Sequence, residues 1–185
     1  MIDDVFNGAK DRMTKAVEAL RRELATIRTG RAHPGLVEHL RVDYYGTPTP
    51  LNQIASISAP EPRLLVIQPW DRQAMGAIEK AILKSDLSLT PTNDGTVIRL
   101  SIPQLTEERR RELAKVVRKK VEEGRVEVRN IRRDGHDELR RLQHEKLISE
   151  DDQYRGQEKL QKLTDDFVQQ IDRLGEQKEA ELLAV

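Results

Sequence analysis

The chain has 185 residues, 32 basic and 32 acidic side chains, no net charge and no cysteine. Those totals exclude disulfides, thiolate catalysis and cysteine-ligated zinc, and bulk charge singles out no partner. Hydrophobic residues make up 37% and charged residues 35%, a balance typical of long helices with a narrow apolar stripe, and no run approaches the ~18 apolar residues of a membrane span.

The opening stretch MIDDVFNGAKDRM is acidic and periodic. It lacks the basic-then-apolar layout of a signal peptide and the Ser/Arg-rich character of a transit peptide, so a cytoplasmic protein is expected. Ile2, Val5, Ala9, Met13, Ala16, Leu20, Leu24 and Ile27 step by three or four and predict one long helix, with Gly30 as its stop.

Composition then changes. All eight prolines lie between Pro34 and Pro103, and residues 31–104 carry only 14 of the chain's charged side chains in 74 positions. Proline is barred from helix interiors, so this window reads as a second domain inserted into a helical one. Within it LVEHLRVDYY (36–45), RLLVIQPW (63–70) and TVIRLSI (96–102) predict strands. DRQAMGAIEKAILKSD (71–86) predicts an amphipathic helix capped by Asp71, and TNDG (92–95) a turn. The expectation is a small mixed domain of four to six strands and one helix.

Thr106, followed by Glu107 and Glu108, marks the next helix start. Leu113, Val117, Val121, Gly124, Val128, Ile131, Gly135, Leu139 and Leu142 keep helical spacing, carrying that helix to about Lys146. The two glycines on the stripe predict close helix approach. Ser149 and Asp152 form a capping-box pattern, and Leu160, Leu163, Phe167, Ile171, Leu174 and Leu182 give the third long helix its stripe. Three long one-faced helices must bury their stripes together. The fold class is therefore α+β. An elongated three-helix bundle comprises 1–30 and 105–185, the inserted domain is 31–104, and a hinge is expected at 30–31 and 103–104.

On the second long helix, with Val128 at zero and 100° per residue, Arg132, Arg125, Arg118, Arg111, Arg129 and Arg133 fall between about 40° and 140°. His136 and Arg140 share that band, and most acids fall on the other flank. Residues 105–147 hold 14 basic and 10 acidic groups, against 5 and 10 in 148–185. Two readings stay open: interhelical ion pairing, or a surface whose guanidinium forks match phosphate oxygens. Lys10, Arg21 and Arg28 share one expected face of the first helix.

Signals for an enzyme are missing. There is no phosphate-cradling G-x-x-x-x-G-K-[ST] and no strand-linked G-x-G-x-x-G. The four histidines show no i, i+4 ligand pair, and Glu150–Asp151–Asp152 reads as a helix N-terminus rather than a metal site. Trp70, Tyr44 and Tyr45 could stack on bases, although packing inside the small domain is the expected use.

The strings TIRTGRA (26–32), VDYYGTPTPLNQIASIS (42–58), PQLTEERRRELAKVVR (103–118), VRNIRRD (128–134) and ISEDD (148–152) follow in an order and spacing that resembles the bacterial ribosome recycling factor family over essentially the whole chain. The resemblance implies an L-shaped, tRNA-sized molecule. It also implies binding to the post-termination ribosome and splitting into subunits with elongation factor G and GTP, so that mRNA and deacylated tRNA leave. The implied partners are the large subunit with its rRNA and elongation factor G. GTP is used by that partner, no cofactor or metal is held, and the chain is a monomer without catalysis of its own. By matching motifs, Arg129, Arg132 and Arg133, with Arg28 and Arg31, face rRNA, and Arg125 shares their band. Gly30, Arg31, Pro103 and Gln104 match the linkers. His33 and Gly135 are less typical of the family, and Gly135 would soften its helix locally. The competing expectation is a helical scaffold or holdase that binds no ribosome.

Overall fold

Apolar residues three and four apart build α1 (Ile2–Ala25), α3 (Glu107–His144) and α4 (Glu150–Leu183). Here α3 and α4 are the second and third long helices of the sequence. The computed structural model describes residues 1–184. It divides into two compact units, Met1–Leu24 with Glu112–Ala184, and Ala25–Arg111. The smaller unit thus takes in residues 25–30 and 105–111, which the sequence reading placed with the bundle.

In the larger unit α1 runs antiparallel to α3, since Arg12 pairs with Asp134 at 3.0 Å and Glu23 with Lys120 at 3.2 Å. Helix α4 is antiparallel to α3, Arg118 reaching Glu179 and Arg125 reaching Asp172. Met13, Val117, Val128, Leu139, Leu160 and Ile171 are almost wholly shielded from solvent and form the shared seam. Four glycines let the helices close. A Cβ on Gly175 would lie 2.7 Å from Val121 Cγ2, on Gly156 2.8 Å from Leu139 Cδ1, on Gly135 2.8 Å from Leu160 Cδ1, and on Gly124 3.3 Å from Leu20 Cδ2. Gly135 is therefore the seat of a leucine inside an unbroken helix, not a softened point. Two polar residues sit in the seam. Thr164 donates to the Leu160 carbonyl of its own helix at 2.7 Å. Lys178 buries its stem and extends its ammonium to Glu181.

The ends of these helices follow local chemistry. Thr106 Oγ1 accepts from the Arg109 N–H at 3.1 Å, and Ser149 and Asp152 cap α4 reciprocally. At the end of α3, Lys146 takes φ 62° while the Leu147 N–H donates to the Leu142 carbonyl, a left-handed C-terminal stop. Helix α1 ends at Ala25 rather than near Gly30. The β-branched run Thr26-Ile27, with Thr29, is a poor helix former, and Ile27, at a bend, and Thr29 are buried in irregular chain beyond the helix.

The smaller unit contains the hairpin β1 (Arg41–Tyr44) and β2 (Thr47–Pro50), turned by Tyr45 and Gly46, both at positive φ. It also holds an antiparallel sheet of β3 (Ala55–Glu61), β4 (Leu64–Pro69), β5 (Pro91–Asn93) and β6 (Ile98–Ser101) in the order β3-β4-β6-β5. Helix α2 (Met75–Lys84) lies on β1, following a short turn capped by Asp71. Leu65, Ile67, Ile78, Ile82, Ile98 and Leu100 are the fully buried centre. The strand expected over 36–45 is confined to 41–44, because His33 Nδ1 accepts from the Gly35 N–H and starts a helical turn at Pro34–Leu36. That is the capping work of a small polar residue, here done by histidine. The expectation of buried aromatics is overturned at two positions: Trp70 is 67% and Tyr45 71% exposed. Tyr45 donates to Asp71 at 2.7 Å, so its hydroxyl finds a partner at the surface. Finally, the Ala32 N–H donates to the Pro62 carbonyl at 2.6 Å and the Ile102 N–H to the Arg63 carbonyl at 2.9 Å, fixing both chain crossings to the β3–β4 turn.

Two glycine substitutions should have opposite signs. Gly8 lies within α1 with nothing inside 4 Å of an added Cβ, so Gly8→Ala should raise stability by about 1 kcal/mol. Gly175→Ala gains the same propensity but drives a methyl against Val121, whose branched side chain has little rotameric escape. Urea unfolding should show a net loss of roughly 1–2 kcal/mol.

Candidate nucleic-acid interface

The basic flank of α3 is not uniform. Arg118, Arg125 and Arg132 are seven apart and face α4. Arg118 donates through Nε to Glu179 Oε1 at 2.8 Å. Arg125 donates to Asp172 Oδ1 at 2.7 Å and to Glu122 Oε2 at 3.0 Å, and these carboxylates hold its proton more tightly than usual. A shallow groove of about 250 Å³ between the two helices is lined by these pairs. Arg132 is different, since its Nη1 donates to the neutral Gln161 Oε1 at 3.1 Å.

Arg129 and Arg133 point into solvent. Arg129 has only a distant pairing with Glu122 at 3.9 Å. Arg133 has no hydrogen-bonding or ionic partner among the described residues. Arg140, one turn beyond His136, is likewise only loosely held, by Asp137 at 3.9 Å. Both readings of the band are thus present at different positions. Arg118 and Arg125 pair between helices, while Arg129, Arg132 and Arg133 offer guanidinium donors outward. An arginine keeps several N–H donors after making one bond, which suits a phosphate backbone.

The remaining arginines belong to the smaller unit. Arg28 is half-buried, donates to the Leu87 carbonyl at 3.2 Å and leaves its Nε buried without a partner. Because α1 stops at Ala25, Arg28 does not continue the helical face of Lys10 and Arg21, which corrects that expectation. Arg31 is exposed, next to Gly30 at φ 81°. Pro103 and Gln104 are exposed as well. Sequence reasoning passed over the α4 residues that hold the flank, Glu179, Asp172 and Gln161. The signal for Glu179 and Asp172 was available as an acid every seven residues, at 179, 172 and 165.

His136 sits half-buried in the same flank, its Nε2 closed off without a partner. Burial first, then the charges of Arg132 and Arg140, push its pKa below the ordinary 6.5, against the backbone of Gln157 and the charge of Asp137. Among the described residues no group of His, Asp and Glu could hold a metal ion, and no helix is long and apolar enough to cross a membrane.

A family model for ribosome recycling factor matches residues 20–183. Full-length relatives called ribosome-recycling factor, from Carboxydothermus hydrogenoformans and a Roseiflexus species, are 61% and 60% identical over 185 residues, covering all of both chains. The chain belongs to the ribosome recycling factor family. A solution structure of a ribosome recycling factor superposes with a TM-score of 0.81 at 47% identity, covering 100% of this chain and 98% of that one. A second family structure matches at TM-score 0.71 and 48% identity over the whole of both chains. It is described as the Thermus thermophilus factor bound, with elongation factor G, to the Escherichia coli post-termination complex. The family's fold, a helical bundle with a small sheet domain, is the architecture seen here.

His136 gives this flank a pH dependence of definite sign. Its folded form holds a proton less well than the unfolded one, so its contribution to stability is complete above pH 6.5 and is lost as pH falls through the lower folded value. Thermal unfolding at about pH 7.5 and about pH 5.5 should show a smaller acid-induced loss in His136→Gln than in the parent chain.

Proposed function

We propose that the chain binds the post-termination ribosome through the outer arginines of α3, which lie on large-subunit rRNA. Together with elongation factor G and its GTP hydrolysis, it then splits the particle into subunits, releasing mRNA and deacylated tRNA. The observation that carries this reading is the set Arg129, Arg132 and Arg133 on one flank of a 38-residue helix, none closer than 3.9 Å to a neutralising carboxylate. Family membership and the description of the related complex with elongation factor G support the partners. The chain holds the RNA without reading its sequence, because guanidinium–phosphate contacts fix register and orientation only. Chemistry belongs to the partner's GTPase, and no cofactor is required of this chain.

The pairs Arg118–Glu179 and Arg125–Asp172 favour the scaffold reading at their own positions. Arg132→Ala separates the two functions. Large-subunit binding should weaken roughly tenfold, about 1.4 kcal/mol, with an unchanged circular dichroism spectrum. Unchanged ribosome affinity beside a lowered melting temperature would establish the scaffold instead. Subunit dissociation of post-termination complexes, with and without elongation factor G and GTP, tests the activity itself.

We further propose that the chain flexes at Gly30–Arg31 and Pro103–Gln104. The supporting geometry is local: the backbone hydrogen bonds that tie the chain to the β3–β4 turn end at Ala32 and Ile102, just inside those residues, and beyond them Arg28 reaches the Leu87 carbonyl only by its side chain. A lever moved by the partner needs such a joint. Cross-linking the two units should preserve ribosome binding and abolish splitting, and full activity in the locked protein would refute the joint.

A further inference from the structure

Three arginines of α3 and three residues of α4 stand in a seven-residue ladder. Arg118 faces Glu179 and Arg125 faces Asp172, both in direct ion pairs. One step further, Arg132 should meet Asp165. It does not. Gln161 stands between them, its Oε1 accepting from Arg132 Nη1 at 3.1 Å and its Nε2 donating to Asp165 Oδ1 at 2.9 Å. The two bonds fix the amide's orientation, because Arg132 can only donate and the Asp165 carboxylate can only accept. The pattern is broken where the guanidinium is needed for another anion.

We propose that Gln161 is a positioning residue that holds Arg132 in place while keeping the Asp165 carboxylate off it, leaving the full charge for a phosphate. The proposal rests on the reading of the α3 flank as an RNA-binding surface. An amide oxygen gives a guanidinium direction at little electrostatic cost, whereas a carboxylate in the same place would compete with phosphate for the same N–H fork. Arg118 and Arg125 hold the helices together through ion pairs, and Arg132, tethered to a neutral group, is free to bind.

The test measures large-subunit affinity across a salt series for the parent chain, Gln161→Glu, Gln161→Met, Arg132→Ala and the two Gln161 changes combined with Arg132→Ala. Circular dichroism melts accompany each protein. In Gln161→Glu a carboxylate meets Arg132, so affinity should fall several-fold and the slope of log affinity against log salt should flatten by about one ion. Gln161→Met keeps the volume but drops the tether. Its affinity should fall two- to threefold with the slope retained, because the charge persists while its aim is lost. Neither change should matter once Arg132 is alanine.

Parent-like affinity and slope in Gln161→Glu, with Arg132→Ala still weakened, would overturn the proposal and leave the RNA surface intact. An equal loss from Gln161→Glu in the Arg132→Ala background would also overturn it, since the new carboxylate would then be repelling RNA directly. Unweakened binding by Arg132→Ala would remove both the surface and its positioning residue.

Discussion

Close approach of three long helices is the constraint on which the larger unit depends. A narrow apolar stripe on a highly charged helix buries little area per turn, so the axes must come close for the stripes to interlock. Gly124, Gly135, Gly156 and Gly175 make that possible, each accepting a Leu, Ile or Val side chain from a facing helix. Glycine costs about 1 kcal/mol of helix propensity per position, a cost that tertiary packing offsets. The exchange is reciprocal between α3 and α4: Leu160 fills the space over Gly135 while Leu139 fills that over Gly156. Sliding one helix by a turn would replace each leucine-on-glycine contact with a side-chain collision. Register between the helices is thereby set, and with it which side chain of α4 meets each arginine of α3.

That register converts a charge pattern into a surface of mixed purpose. Exposed ion pairs contribute little by themselves, but Arg118–Glu179 and Arg125–Asp172 lie against the seam and shield its edge. Arg129 and Arg133, about 20–80° further round, are directed outward by the same helix. One element therefore carries both the packing seam and the outward-facing row, and their relative angle is fixed by helical geometry rather than by flexible loops.

Much of this was legible in the sequence. All nine stripe positions assigned to α3, Leu113 to Leu142, are buried, because a 3.6-residue period has one physical solution when only one face is apolar. The capping residues Asp71, Thr106 and Ser149 act locally and were equally readable. Strands β2 and β3 were obscured by their prolines. Pro48 and Pro50 face Asp43 and Arg41 in register, alternate positions on an edge where a missing N–H costs no ladder bond. The end of α1 was misread because Ile27 keeps the helical spacing while being buried at a bend beyond the helix. Trp70 and Tyr45 were placed inside by their hydrophobicity, yet the Tyr45 ring at its turn stays at the surface, where its hydroxyl reaches Asp71. Gln161 was invisible for a different reason. Its role depends on which residue of α3 lies opposite, and no one-helix pattern contains that register.

Zero net charge takes on meaning once the residues are placed. A uniformly basic chain would adhere to any polyanion, since nonspecific attraction scales with the number of phosphates neutralised. Here many cations have nearby acids, either within a turn, as in Arg111–Glu107 and Arg141–Glu138, or across the bundle, as in Arg12–Asp134. Long-range attraction is small for a chain without net charge, and on α3 Arg129, Arg132 and Arg133 form a short outward row of guanidiniums. On the proposed reading, such a row binds folded RNA only where phosphates match its geometry, so selectivity comes from shape without base recognition. An acid-for-amide exchange at Gln161 would then weaken binding without altering the fold, which ties the neutral tether of one arginine to the neutrality of the whole chain.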